Sequence, residues 1–256
     1  MIEYGFIGTG NMAQAMIKGL LGKGVSAKNI AVYSPRSAAK LTEKWGVISL
    51  SAQNLIDESS LIVLAFLPNQ LENVTAKLDF QDKLVVSVLA GITLEQLISA
   101  THTTQIVRTL PNVNVAINQG VTAFSKTELT TTTNNTLFKT FSDYLGRSVD
   151  LAESQFAIFS AVAGSGPAYV FKYIDALAQA GIANGLEAEL ATDIATQTVL
   201  GSAKTLALST QTAKELQNAV TSPGGSTRAG LDDLDTQNFD DVIAHAIKAT
   251  VEHKHL

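Results

Sequence analysis

The chain has 256 residues, a formal net charge of −5 at pH 7 and no cysteine. The negative charge, without a stripe of lysine and arginine, argues against a nucleic-acid partner, and the missing cysteines exclude disulfides and thiolate chemistry. Hydrophobic residues make up 46% of the chain and charged residues only 16%. So few charges indicate a surface that another subunit partly covers.

We expect neither a targeting segment nor a membrane span. Residues 1–3 lead directly into the first predicted strand, without a basic region followed by an apolar one. The longest apolar run, residues 61–67, is far too short to cross a bilayer. The sequence therefore predicts a cytoplasmic protein without a membrane partner.

A glycine-rich turn joins the first predicted strand, residues 4–7, to a predicted helix over residues 11–23. In this context Gly8 allows the tight turn, and Gly10 lets the backbone approach a pyrophosphate. The small side chain of Ala13 lets the helix pack closely on the strand, and the helix N-terminus attracts phosphate. The pattern predicts a dinucleotide-binding turn.

The second predicted strand, residues 29–33, ends without the acidic residue that binds the ribose 2′-hydroxyl in NAD-selective folds. No carboxylate occurs between Glu3 and Glu43. Instead, Ser34 and Arg36 offer a hydroxyl and a charged fork that suit a 2′-phosphate. We therefore expect NADP(H) to be preferred over NAD(H), although Arg36 as an ordinary solvated turn residue is an open alternative.

The pattern of alternating strands and helices continues through residues 1–152. Further predicted strands are residues 47–48, 61–66, 84–88, 106–109, 121–124 and 148–151. Predicted helices between them are residues 52–59, 70–78, 94–100 and 137–145, and residues 127–136 form a polar surface loop or the start of the last helix. Continuous apolar strands predict a doubly wound, mostly parallel, Rossmann-like sheet covered on both faces.

The second half of the chain, residues 153–256, reads as entirely helical. Between residues 155 and 210 only six residues are charged, and the predicted helices 168–184 and 187–208 are apolar on nearly every face. Such helices must be buried, which about 100 residues do poorly alone. The sequence predicts a helical dimerisation domain and a homodimer, and leaves a higher homo-oligomer open.

A second loop with chemical character lies between two predicted helices near the C-terminus. Gly224 and Gly225 leave backbone N–H groups free to point at an anion, and Ser222, Ser226 and Thr227 add hydroxyls. The following helix N-terminus adds partial positive charge, so the loop suits a carboxylate. The alternative is a plain Pro-Gly-Gly turn with Ser226 or Thr227 as the N-cap.

Together these features resemble the pyrroline-5-carboxylate reductase family, which makes proline by reducing a cyclic imine with NAD(P)H. The resemblance covers nearly the whole chain. Its motifs are residues 5–12, 65–68, 108–112, 164–171 and 222–227, of which the last two are the most specific. The resemblance implies a cyclic imine substrate that bears a carboxylate, and a site where the 222–227 loop meets the coenzyme across a dimer.

The resemblance also implies roles for individual residues. It assigns the coenzyme phosphates to Gly8, Thr9, Gly10, Asn11 and Met12, and the 2′-phosphate to Ser34 and Arg36. It assigns contacts near the nicotinamide to Ala65, Phe66, Leu67, Pro68, Ala90 and Gly91. It assigns the substrate carboxylate to Ser222, Gly224, Gly225, Ser226 and Thr227, with the catalytic Thr227 hydroxyl at the imine nitrogen. No metal is required, because a protonated imine is already an electrophile.

Several positions depart from the family pattern. Leu67 replaces a common lysine, Val113 a common threonine, Gln217 one member of a basic-acidic pair, and Ala163 a common serine. These departures leave room for a diverged paralogue that binds NADP without efficient catalysis.

A second alternative is a β-hydroxyacid dehydrogenase, in which a glycine-rich turn precedes a catalytic lysine. Lys172 imitates that spacing, but Asp175 stands where an asparagine is expected. A surface ion pair between Lys172 and Asp175 is the simpler interpretation.

Overall fold

A computed structural model describes residues 2–128 and 130–253. The chain forms two compact units, Met1–Gly164 and Ser165–Leu256. This division falls later than the boundary expected after residue 152, because Glu153 and Phe156 contact Arg108 of the first unit. The boundary after residue 152, between a dinucleotide-binding and a helical dimerisation domain, stays a prediction.

The first unit is an eight-stranded sheet with helices on both faces. Its strands are β1 Ile2–Ile7, β2 Ile30–Tyr33, β3 Ile48–Ser49, β4 Ser59–Leu64, β5 Leu84–Ser87, β6 Ile106–Pro111, β7 Gly120–Lys126 and β8 Gly146–Asp150. Its helices are α1 Asn11–Gly22, α2 Ala38–Trp45, α3 Ala52–Glu58, α4 Leu71–Thr75, α5 Leu94–Thr101, α6 Thr132–Leu145 and α7 Phe156–Phe159. A single π-helical turn, Ser160–Gly164, ends the unit.

The strand order is β3-β2-β1-β4-β5-β6-β7-β8. Strands β1 to β6 are parallel, β7 is antiparallel to β6, and β8 is parallel to β7. The predicted doubly wound, mostly parallel sheet is therefore confirmed. The order reverses between β1 and β4, which is where such sheets bind ligands at the carboxyl ends of their strands.

The sheet buries a core on each face. On one face Tyr4 and Phe6 pack with buried side chains of α1, α2 and α6. On the other face Ile7 packs with buried side chains of α3, α4 and α5. Each fully buried large apolar side chain contributes about 1.5–3 kcal/mol. This unit therefore encloses its own core, as the continuous apolar strands predicted.

The helix α6 begins five residues before the predicted helix over residues 137–145. Thr131 caps it by accepting a hydrogen bond from the Asn134 N–H at 3.2 Å. Side-chain capping explains how a polar, threonine-rich segment starts a helix. Residues 127–136 were expected to form a surface loop or the start of this helix. Within that segment, Leu129 lies outside the described residues.

As far as residue 253, the second unit consists of five helices. They are α8 Gly166–Ala183, α9 Ala188–Leu208, α10 Ala213–Ala219, α11 Ser226–Thr236 and α12 Phe239–Glu252. The predicted all-helical second half is confirmed. Across the described part of the chain, no helix combines the length and apolar character needed to cross a membrane.

Candidate active site

The glycine turn lies between β1 and α1. Gly8 has a φ of +104°, and a Cβ there would collide with the Ala65 carbonyl group. Gly10 is the N-cap of α1 and has no side chain to bond the first-turn N–H groups. Because the first N–H groups of a helix lack intrahelical partners, those of Asn11 and Met12 are available to an anion.

The turn after β2 contacts the glycine turn through three hydroxyl groups. The Thr9 hydroxyl lies 2.5 Å from the Ser37 hydroxyl, which lies 3.1 Å from the Ser34 hydroxyl. Arg36 is exposed, and its guanidinium has no hydrogen-bond or ion-pair partner among the described residues. Ser37 is therefore a member of the site that the sequence pattern did not indicate.

The loop after β4 lies beside the glycine turn. The Ala65 N–H donates to the Ile7 carbonyl at 2.8 Å, so Ala65 continues the pairing of β4 with β1. Gly8 packs directly against the backbone of Ala65 and Phe66. Leu67 is 65% exposed, so this departure from the family pattern has no packing role of its own.

Ala90 and Gly91 form the exposed tip of the loop after β5. Gly91 has a φ of +77°, and no heavy atom lies within 4 Å of the position its Cβ would take. Since β5 is parallel to β4 and adjacent to it, this loop emerges at the same edge of the sheet as the glycine turn. Pairing of neighbouring strands thus collects three of the predicted cofactor loops at one edge.

The residues present fit a dinucleotide that carries a 2′-phosphate. Above Gly10 there is open space, since the nearest atom to a Cβ there would be the Ala65 carbonyl oxygen at 3.9 Å. The turn after β2 presents Ser34, Ser37 and the free Arg36 side chain, without a carboxylate. A free guanidinium and hydroxyls complement a phosphate dianion.

In the helical unit, the 222–227 loop leads into α11 through a second glycine N-cap. Gly225 is the cap residue with a φ of −79° and a ψ of 162°, and Gly224 has a φ of +71°. The Gly225 N–H donates to the Ser222 carbonyl at 3.0 Å, so the expectation that this N–H is free to point at an anion is wrong. Ser226 and Thr227 are exposed and occupy the first two helical positions. The N-cap alternative for these two residues is therefore wrong, and their N–H groups have no intrahelical partners.

Arg228 follows Thr227, but its guanidinium is turned along α11. It donates to the Asp232 carboxylate and lies 3.6 Å from the Asp235 carboxylate. The hydrogen bond from Arg228 lowers the pKa of Asp232. Because these carboxylates neutralise the cation, backbone dipoles supply the attraction for an anion at this loop.

Lys172 and Asp175 are both exposed on α8. Neither takes part in a salt bridge within the described ranges, so the expected surface ion pair is not formed. Within the same described ranges, no group of three or more His, Asp or Glu side chains is arranged to hold a metal ion.

A cavity of about 520 Å³ lies at the amino-terminal ends of β1 and β4, at the edge of the sheet opposite the glycine turn. Glu3, Tyr4 and Tyr144 are among its lining residues. Burial, together with the nearby Glu3 and Tyr144, raises the pKa of Tyr4 to about 12. None of the predicted site residues lines this cavity.

Two family models match the chain. A model described as pyrroline-5-carboxylate reductase dimerisation matches residues 153–255, and one described as NADP oxidoreductase, coenzyme F420-dependent, matches residues 3–91. The first covers the helical half and the second covers the glycine turn and the loops after β2, β4 and β5.

Curated relatives match over nearly the full length. Pyrroline-5-carboxylate reductase 2 of Bacillus subtilis is 32% identical, covering 98% of this chain and 94% of the relative. Pyrroline-5-carboxylate reductase of Escherichia coli is 34% identical, covering 98% of this chain and 96% of the relative.

Solved structures show the same fold. The 1-pyrroline-5-carboxylate reductase of Streptococcus pyogenes superposes with a TM-score of 0.84 at 34% identity, covering 98% of this chain and 97% of that one. The Plasmodium falciparum pyrroline carboxylate reductase, solved with NADP bound, gives a TM-score of 0.85 at 27% identity, covering 98% and 96%.

Proposed function

The chain belongs to the pyrroline-5-carboxylate reductase family, and we propose how its residues carry out the NAD(P)H-dependent reduction of 1-pyrroline-5-carboxylate to L-proline, the last step of proline biosynthesis. One observation carries the proposal. Each unit presents a helix N-terminus capped by a glycine, Gly10 for α1 and Gly225 for α11. One suits the coenzyme pyrophosphate and the other suits the substrate carboxylate.

We assign coenzyme binding to the α/β unit. The N–H groups around Gly10 would hold the pyrophosphate, and Ser34 and Arg36 would hold the 2′-phosphate of NADPH. The loops at Ala65–Phe66 and Ala90–Gly91 would flank the nicotinamide, which supplies a hydride from C4 when it is bound. The free Arg36 side chain and the missing carboxylate after β2 support NADPH over NADH.

We assign substrate binding to the helical unit. The N–H groups of Ser226 and Thr227 would bind the substrate carboxylate, which fixes the ring. The Thr227 hydroxyl would hydrogen-bond the imine nitrogen. As the ring carbon accepts the hydride, the C=N electron pair moves to the protonated nitrogen, which becomes a secondary amine. Thr227 therefore has to orient the nitrogen and needs no strong base beside it.

The helical unit matches a dimerisation model, so the protein is expected to be an oligomer. We propose a homodimer in which the 222–227 loop of one subunit completes the coenzyme site of its partner. A higher assembly of dimers and a cytoplasmic location stay predictions.

The reaction is tested by following NADPH oxidation with pyrroline-5-carboxylate and quantifying proline. Thr227→Ala should lower kcat by about 100-fold, the usual effect of removing one hydrogen bond made in the transition state. Thr227→Ser, which keeps the hydroxyl, should retain most activity. Lys172→Ala should retain activity, whereas a β-hydroxyacid dehydrogenase would lose it. NADPH binding without proline formation by the unaltered protein would support a non-catalytic paralogue instead.

The coenzyme preference is tested separately with Arg36→Asp. This substitution should raise the KM for NADPH at least about tenfold, because a carboxylate would repel the 2′-phosphate. The KM for NADH should change much less. An unchanged KM for NADPH would show that Arg36 is an ordinary solvated side chain.

A further inference from the structure

Arg108, in β6, is a buried cation whose charge partner follows the last strand of the sheet. Its guanidinium donates to Glu153 Oε1, and its Cζ lies 4.3 Å from the ring centroid of Phe156. The residue is only 9% exposed. A charge so shielded from water requires a partner, and Glu153 supplies it.

The same Glu153 oxygen accepts a second hydrogen bond. It accepts a hydrogen bond from the Leu94 N–H at 3.0 Å. Leu94 is the first residue of α5, which already has a complete capping box formed by Thr93 and Gln96. The capping box already satisfies the N-terminus of α5. The hydrogen bond to Glu153 therefore serves to fix the C-terminal end of the preceding loop to the segment that follows β8.

The loop tied in this way is residues 88–93, between β5 and α5. At its other end, the Val88 N–H donates to the Leu64 carbonyl at 3.1 Å. Its tip, Ala90 and Gly91, is exposed, and Gly91 has open space around its Cβ position. Leu89 is buried in the core of the sheet, and Ile92 packs against that core. The position of the exposed tip therefore depends on this packing and on the hydrogen bonds that hold the two ends of the loop.

The sheet brings Arg108 next to this loop. Arg108 in β6 is the register partner of Ser87, the last residue of β5. Thr109 strengthens the same junction, since its hydroxyl donates to the Ser87 carbonyl at 2.8 Å. Arg108 therefore holds Glu153 at the position from which its carboxylate reaches the Leu94 N–H.

We infer that Arg108 and Glu153 are positioning residues for hydride transfer, which hold the 88–93 loop at the correct distance from the coenzyme. Arg108 orients Glu153, and Glu153 fixes the end of the loop through Leu94. The inference rests on the proposed function, in which Ala90 and Gly91 flank the nicotinamide. A small displacement of that loop would misalign the reacting carbons and slow the transfer.

A matched pair of substitutions isolates the hydrogen bond. Leu94→Pro removes the N–H that donates to Glu153, and proline is well tolerated at the first position of a helix. The preceding Thr93 has a φ of −83° and a ψ of 164°, which suits a residue before proline. Leu94→Ala loses the packing of the same side chain but keeps the N–H, so it is the control.

We expect kcat for Leu94→Pro to fall about tenfold below that of Leu94→Ala, because misaligned reactants are slow to react. The kinetic isotope effect with NADPH deuterated at the transferred position should rise, since hydride transfer becomes rate-limiting. The Kd for NADPH should stay within about threefold, because the phosphate contacts are untouched. A merely structural role would lower Tm without changing the isotope effect.

A second pair covers the case in which Leu94→Pro fails to fold. Glu153→Gln keeps an oxygen for the Leu94 N–H, whereas Glu153→Ala removes it, so the alanine variant should have the lower kcat and the larger isotope effect. Equal kcat and isotope effects within each folded pair would overturn the inference. Failure of the proposed function looks different, because the unaltered protein would then form no proline.

Discussion

The two units of this chain bury their apolar residues in different ways. In the α/β unit several large aromatic side chains, such as Phe6 and Phe80, are fully buried. In the helical unit the buried core consists of Ala178, Ala191 and Ala195, with Ile174 and Ile182 partly buried against them. The first unit encloses large apolar side chains in its own core, whereas the second leaves many of its larger apolar side chains exposed.

The exposed side of α8 shows the contrast most directly. Val170, Tyr173 and Leu177 are 45%, 48% and 38% exposed, and their spacing places them on one face of the helix. Many further exposed apolar residues lie on the other helices of the unit, including Leu190, Ile194, Leu200, Leu208 and Val242, and Val220 directly follows α10. A surface of this kind is explained by association, in agreement with the matched dimerisation model.

The largest effect is expected from placing a charge on this face. Leu177→Glu should dissociate the oligomer and reduce proline formation at least about tenfold, because an unpaired carboxylate is costly to bury. Light scattering and the coupled assay would measure the two effects. Lys172→Ala, on a different face of α8, should leave both assembly and activity close to those of the unaltered protein. A fully assembled and active Leu177→Glu protein would show that this face of α8 is not buried by association.

An intermediate effect is expected at the glycine turn of the α/β unit. Gly8→Ala forces a side chain into a left-handed backbone conformation and against the Ala65 carbonyl, so it should lower the free energy of unfolding by about 1–3 kcal/mol. Gly10→Ala should leave Tm nearly unchanged, because its Cβ position is open, yet weaken NADPH binding. Thermal unfolding and NADPH titration separate the two results. Equal losses of Tm would contradict the assigned geometry.

The smallest effect is expected at Tyr4, in the core of the same unit. Because its pKa rises from 10.0 to about 12 on folding, Tyr4 contributes stability below pH 10 that is lost as the pH rises toward 12. The loss is about 1.4 kcal/mol per pH unit at most. Tyr4→Phe should therefore reduce the fall in stability between pH 10 and pH 12.

This alkaline effect is measured by urea unfolding at several pH values, followed by the fluorescence of Trp45, the single tryptophan of the chain. Trp45 lies in α2, so its signal reports on the α/β unit. Identical pH profiles for Tyr4→Phe and the unaltered protein would show that Tyr4 ionises normally.

Local patterns predicted most of the elements and both glycine loops. The turn at Gly8 and the helix after it follow from residues adjacent in sequence, as do the long helices α8 and α9. These features depend on backbone conformation and on the helical period, both of which act over a few residues. The same patterns did not exclude Ser226 or Thr227 as an N-cap, because both have capping side chains.

Other site features depend on distant partners. Ser37 meets Thr9 across 28 residues of sequence, and Glu153 meets Arg108 across 45. No periodicity or spacing predicts which strands will be neighbours, so these contacts have no local signal. The π-helical turn at Ser160–Gly164, which the sequence did not indicate, has its Ala163 carbonyl bonded by the distant Asn112 side chain at 3.0 Å.

By itself, the sequence determined the fold class, the two glycine-capped loops, the coenzyme class and the family, because each depends on residue type and short spacing. Only the tertiary structure decided that β1 and β4 bring Gly8 against Ala65 and that Glu153 bonds the start of α5. It also showed that Arg36 has no partner among the residues that the structure describes, and which apolar side chains the helical unit leaves exposed. Burial and long-range pairing arise from packing of the whole chain, which no local pattern contains.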